Sequence, residues 1–157
     1  MTVPVPAPPR TPPRTHDAMA AFFTISPRSD KGIPAEDARR VPQMRRLARA
    51  RLEYCHLSVL ADDVELIVSE LVTNAIEHSH GTAIAMTLAL NDGLLHLEVK
   101  DETARPPEIQ QPADDAENGR GLIIVRSITE HHGGKWDISP DGTSTWCTIP
   151  VPTRGHR

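Results

Sequence analysis

A two-layer α/β sandwich, with helices on one face of a mixed, mainly antiparallel sheet, is the fold class that three features of this 157-residue sequence predict. The first is a long helix in the middle of the chain with an unbroken apolar stripe. The second is a pair of hairpin signals, one directly after that helix and one near the C-terminus. The third is the order in which they come: a strand, two helices, a hairpin, a long polar stretch, another helix and a closing hairpin. Helices interleaved with hairpins bury their stripes on one side of a sheet.

Each element rests on a local pattern. Residues 1–16 hold six of the fifteen prolines and no hydrophobic period, so they are expected as a disordered tail that cannot offset its chain entropy. The apolar run Ala20 to Ile25 predicts a first strand, and Pro27 to Pro34 punctuates it. Pro42 suits the first turn of a helix, where its missing N–H costs nothing. Met44, Leu47, Ala48, Leu52 and Cys55 follow at helical spacing, with Arg45, Arg46 and Arg49 off that stripe. From Ala61 to His80, the residues Val64, Ile67, Val68, Leu71, Val72, Ala75 and Ile76 recur at the period of an α-helix. Asp62 and Asp63 favour its start through the helix dipole, and Gly81 is expected to stop it. Ile84–Leu90 and Leu94–Val99 flank Asn91-Asp92-Gly93, a hairpin signal. Residues 102–118 are polar, aperiodic and hold three prolines, a pattern of functional or mobile loops. Gly119-Arg120-Gly121 then opens a helix running through Leu122 to Ile128. Trp136–Ser139, a Pro-Asp-Gly turn and Thr143–Ile149 make the closing hairpin. A domain over 17–151, with a short flexible tail at 152–157, accommodates all of it.

Composition narrows the class of function. Aromatics are only 3%, so the core must be aliphatic. No apolar run approaches the roughly 18 residues of a membrane span, and the Pro-rich start has no continuous apolar segment to serve as a secretory signal. Two cysteines, Cys55 and Cys147, form neither a disulfide framework nor a zinc motif, and a reduced cytoplasmic protein is expected. The net charge of −4 hides an asymmetry. Residues 1–51 carry ten Lys/Arg against four Asp/Glu, whereas residues 52–151 carry five against seventeen.

Three sets of residues carry chemistry. Glu70, Asn74 and His78 are spaced i, i+4, i+8, one row along the strongest helix that drifts from the edge of the apolar stripe into it. A polar row there needs partners, because an unpaired buried polar group costs about 1–3 kcal/mol. Gly119, Arg120 and Gly121 precede Leu122 at a loop-to-helix junction, where backbone N–H groups can approach phosphate oxygens. Asp101 ends a strand, where a carboxylate can accept a hydrogen bond from the amino group of a base.

In that order these residues resemble the GHKL ATPase superfamily with its Bergerat nucleotide fold, and within it the single-domain anti-sigma-factor serine/threonine kinases of actinobacterial type. Glu70-Leu71-Val72-Thr73-Asn74-Ala75-Ile76-Glu77-His78-Ser79 is similar to the family's N-box, and Gly119-Arg120-Gly121-Leu122-Ile123-Ile124-Val125 to its glycine-rich G2 box. Gly142-Thr143-Ser144-Thr145-Trp146-Cys147 resembles its last strand. The resemblance implies ATP and Mg²⁺ as cofactors. Asn74 would bind the Mg²⁺, Glu70 would polarise an attacking hydroxyl, and Asp101 would contact adenine. Gly119, Arg120, Gly121 and Leu122 would hold phosphates, with His78 near them and residues 102–118 as a lid. It also implies a sigma factor and an antagonist protein as partners, and a homodimer. One departure bears on the adenine half of the site: the family's G1 box reads DxGxG, and here Thr103 and Arg105 stand in place of the glycines. An alternative is therefore a catalytically weak or inactive binding module that acts by sequestering proteins.

Other chemistries lack their residues. There is no GxxxxGK[ST] loop and no GxSxG elbow. His78-Ser79-His80 and His131-His132 have no cysteine pair or HExxH beside them to build a zinc site. Six arginines in 39–51 form a basic face, but an acidic remainder with few aromatics argues against nucleic acid.

Overall fold

The computed structural model describes residues 3–4, 16–26, 32–79, 83–101 and 116–152, with the backbone alone for 116–120. Five strands form one sheet: β1 (His16–Thr24), β2 (Ala83–Asn91), β3 (Leu94–Asp101), β4 (Lys135–Ile138) and β5 (Ser144–Pro150). Their order across the sheet is β1-β2-β3-β5-β4, and every neighbouring pair is antiparallel. The helices are α1 (Ala35–Ala38), α2 (Arg40–Tyr54), α3 (Ala61–His78) and α4 (Ala116–His131), with a 3₁₀ turn over Ser58–Leu60. Among the described residues no helix is long and apolar enough to cross a membrane.

The expected parallel pairing is absent for a topological reason. β3, α4 and β4 form a crossover unit whose two strands run parallel, but β5 inserts between them and pairs antiparallel with both. This split unit returns α4 to the helical layer beside α3.

The core lies between the sheet and the helices. Alternate residues of β2 and β3, from Ile84, Met86 and Leu88 to Leu95, Leu97 and Val99, meet the buried stripe of α3, in which Val64, Ile67, Val68, Leu71, Val72 and Ile76 are at most 6% exposed. From α2 come Met44, Ala48 and Leu52, and from α4 Val125. Leu47, expected on the buried stripe of α2, is 41% exposed, because the stripe narrows to a 4-residue period there. Burial pushes the Cys147 thiol up to about 12, only partly offset by a hydrogen bond with Thr129. Both cysteines are buried as free thiols.

Several boundaries differ from expectation. β1 begins at His16, four residues before the predicted strand, because it pairs along its whole length with β2. His16, assigned above to the tail, therefore belongs to the sheet; of the tail's other residues only Val3 and Pro4 are described. Val151 is tied down by its N–H, which donates to the Gly93 carbonyl at 2.8 Å. α3 ends at His78 and Ser79 turns extended, so the chain leaves the helix before Gly81, which lies outside the described residues. α4 begins at Ala116, three residues before Gly119, so the glycines sit inside its first turns rather than at its mouth. Its other end closes on a Schellman motif: Gly133 takes a φ of 73°, and the Gly133 and Gly134 N–H groups donate to the carbonyls of Glu130 and Thr129 at 2.9 and 2.8 Å.

The arginine segment is divided. Arg49 reaches across to Asp62 and to Glu65, the latter at 2.5 Å, which locks α2 onto the start of α3. Arg51 pairs with Asp17 of β1, whose carboxylate also accepts from Cys55 Sγ at 2.9 Å. Burial raises the pKa of Asp17, and these hydrogen bonds and the Arg51 charge more than reverse it, holding the carboxyl below its ordinary value.

Candidate functional site

The polar row on α3 faces the end of the sheet where β3 stops. Glu70, Asn74 and His78 are each half-buried, so the row keeps to the margin of the stripe, and His78, expected to turn into it, does not. Beyond them Asp101, the last residue of β3, is 4% exposed. Ser79, the extended residue after α3, is 1% exposed and donates its hydroxyl to Asp101 Oδ1 at 3.4 Å. The backbone N–H of Asp101 donates to the Thr143 carbonyl at 2.7 Å, which joins the end of β3 to the β4–β5 turn.

A small pocket opens between these elements. Its apolar walls are Leu71, Ala75 and Val99, and its polar groups come from Asn74, His78, Asp101 and Thr145. An apolar slot with a few convergent polar groups is the usual construction of a small-molecule site. Gly142 and Thr143 complete one side from the β4–β5 turn. That turn is built around Asp141, whose carboxylate accepts from the Ser139 hydroxyl at 2.6 Å and from the Thr143 N–H and hydroxyl at 3.1 and 2.8 Å. These bonds, the Ser139 one foremost, hold the Asp141 carboxyl down at about 2.

Glu70 lies two turns before the His78 end of the row and meets α4 instead. A Cβ placed on Gly121 would stand 2.7 Å from Glu70 Oε2. A side chain there would displace the carboxylate, so the glycine is what lets α4 rest directly on it. The N-terminal half of α4 is thereby set against Glu70.

The expected site residues are thus distributed in three ways. Asn74, His78 and Asp101 line one pocket. Glu70 and Gly121 meet where α3 packs on α4. Leu122 packs against the hydrophobic core, on the stripe it shares with Val125 and Ile128. Gly119 belongs to the helical backbone, while the side chain of Arg120 and the residues 102–115 of the expected lid, including Thr103 and Arg105, lie outside the described residues. Sequence reasoning did not single out Thr143, Thr145 or Ser79. The resemblance of 142–147 to a last strand was the signal for the threonines; Ser79 had none beyond its position after His78.

Residues 33–149 match the family described as the histidine kinase-like ATPase domain. The chain belongs to that family. It is an ATP-binding domain of the GHKL type, and the Bergerat fold expected above is the fold observed. A curated relative, the heme sensor protein HssS of Staphylococcus haemolyticus (strain JCSC1435), is 33% identical over 96 residues, covering 52% of this chain and 21% of the relative. The chain thus spans about a fifth of that protein's length. Among solved structures, the Acinetobacter baumannii histidine kinase AdeS aligns with a TM-score of 0.48 at 17% identity, over 86% of this chain and 68% of that one.

The pocket of this histidine kinase-like ATPase domain is walled by Leu71, Ala75 and Val99, with the buried Asp101 carboxylate at one end.

Proposed function

We propose that this chain is a Mg²⁺·ATP-dependent serine/threonine kinase of the anti-sigma type, which binds a sigma factor and phosphorylates a small antagonist protein. The observation that carries the reading is Glu70, held by α3 with its carboxylate against Gly121 of α4. There the carboxylate would take the proton of an acceptor hydroxyl brought to the terminal phosphate, and the glycine would keep its approach open.

The roles follow from chemistry. Asp101 would accept the adenine amino hydrogen, its own orientation set by the Ser79 hydroxyl. Asn74 would hold Mg²⁺ through its side-chain carbonyl, a hard oxygen ligand of the kind that ion takes. When bound, Mg²⁺·ATP supplies the phosphoryl group and the charge neutralisation its transfer needs. Glu70 takes the proton of the acceptor hydroxyl, a general-base contribution of about 10²–10⁴-fold. The N-terminal turns of α4 orient the phosphates by their N–H groups.

The second reading, a sequestering module without turnover, is favoured by Thr103 and Arg105, which stand where the G1 glycines would give the adenine pocket its tight turn. A transfer assay with labelled ATP separates the two. Glu70→Gln should lower transfer to the acceptor protein by about 10²–10⁴-fold while leaving nucleotide affinity within a few-fold. A mutant that transfers phosphate at the wild-type rate removes Glu70 from the chemistry, and a wild-type protein that binds ATP without transferring it establishes the second reading.

A further inference from the structure

The arginine segment and the first strand are not used by the nucleotide site, and they meet at a groove. β1 is the outermost strand of the sheet, with β2 on one side only. An edge strand offers unpaired N–H and C=O groups, and proteins usually blunt such edges with Lys, Pro or a bulge. β1, reading HDAMAAFFT, has neither Lys nor Pro and pairs in regular register, and it displays Phe22 at 69% exposure. Beside it runs a shallow open groove between β1 and α2. Its floor is apolar, from Ala21, Met44 and the half-exposed Leu47, and its rim carries Arg40 and Arg46.

The charges on this rim are not paired with carboxylates among the described residues, although Arg40 also lies over the Phe23 ring, 5.7 Å from its centroid. Arg49 and Arg51 are neutralised by Asp62, Glu65 and Asp17. Arg40 instead donates to the Gln43 amide oxygen at 3.2 Å, and Arg46 has no carboxylate partner among the described residues.

We propose that this groove docks an extended acidic segment of a partner protein, which adds as a strand to the free edge of β1. Backbone pairing supplies the register, alternate apolar side chains enter the groove over Met44 and Leu47, and carboxylates meet Arg40 and Arg46. Charge selects this occupant over a second copy of the chain. A two-fold pairing of β1 with itself would bring the two α2 helices together on the same side of the sheet and set the arginines of one against those of the other. The surface uses none of the nucleotide residues and stands apart from the kinase reading.

The test is fluorescence anisotropy on the full chain with three labelled nine-residue peptides, of alternating Glu/Val, Lys/Val and Glu/Gly. The Glu/Val peptide should bind at least about tenfold more tightly than the other two, with an affinity that falls as salt rises. Arg40→Glu/Arg46→Glu and, separately, Leu47→Ser should each weaken it by about tenfold or more while the melting temperature stays at the wild-type value. Should the double variant fail to fold, the ranking of the three peptides on the wild type still decides. Equal binding of the Lys/Val peptide, no binding of any peptide, or a folded double variant with wild-type affinity overturns the proposal. So does sedimentation of the wild type as a dimer that Leu47→Ser dissociates, which would assign the groove to a second copy.

Discussion

Glu70 and Gly121 are 51 positions apart in the chain, and the site depends on their contact. The clash at 2.7 Å that a Cβ on Gly121 would make is with the end of a flexible side chain, not with backbone. The Glu70 carboxylate can swing away, so Gly121→Ala costs little in packing. Inside a helix the same change is worth about 1 kcal/mol in favour of Ala. Gly121→Ala should therefore keep or slightly raise the melting temperature while lowering phosphoryl transfer about tenfold or more, since a displacement of an ångström at a reacting group can cost about 10²-fold. Thermal denaturation and the labelled-ATP assay on the same preparation check both halves. A variant that loses stability and keeps its activity would mean the glycine serves the fold alone. The two halves of this contact were legible to different degrees. Glu70 stood out because a row of polar residues crossed an apolar stripe. Gly121 was legible as a phosphate glycine but not as the residue facing Glu70, since no local pattern reports which helices will pack together.

At the scale of elements, the β4–β5 turn deserves the same scrutiny as the helices, because it contributes Gly142 and Thr143 to the pocket and carries the carbonyl that fixes Asp101. Asp141 organises it through three hydrogen bonds, which hold its carboxyl at about 2, below the ordinary 3.8. A carboxyl with a depressed pKa in the folded state contributes stability that is complete above its unfolded value and lost as the pH falls through the folded one. The turn should thus be intact at neutral pH and loosen between about pH 4 and pH 2. Amide hydrogen exchange at Thr143, followed by NMR down the pH scale, checks this. Loss of its protection already above pH 5 would contradict the hydrogen-bonding scheme. Elements with a local signature were readable in advance: the stripe of α3, the Asp92-Gly93 turn, where both residues take positive φ, and the Pro-Asp-Gly turn before β5. The first four residues of β1 were not, because Asp17 and Ala18 carry little strand propensity and pair only because β2 is there. The start of α4 was hidden in the same way, under a polar stretch with no period.

For the whole molecule, the split crossover is the feature that assembles the site. By placing β5 between β3 and β4 it brings the β4–β5 turn beside the end of β3, and it sets α4 against α3. Insertion of a late strand between earlier ones is a long-range choice that no window of sequence displays; the sheet was expected as mixed and mainly antiparallel, and every pairing proves to be antiparallel. The charge distribution, by contrast, was readable from the start and has a consequence for binding. Residues 52–151 carry seventeen acidic against five basic side chains, yet the pocket they form is proposed to take a polyanion. Long-range repulsion must be overcome locally, by helix N–H groups and above all by a cation held at Asn74. Nucleotide binding should therefore depend on the metal and on the Asn74 side chain proposed to hold it. Isothermal titration of the full chain with ATP, in Mg²⁺ and again in EDTA, on wild type and on Asn74→Ala, measures that dependence. Saturable one-site binding of the wild type in Mg²⁺, lost in EDTA and lost in Asn74→Ala, is the expected result; wild-type affinity in the mutant, or equal affinity with and without the metal, would contradict it.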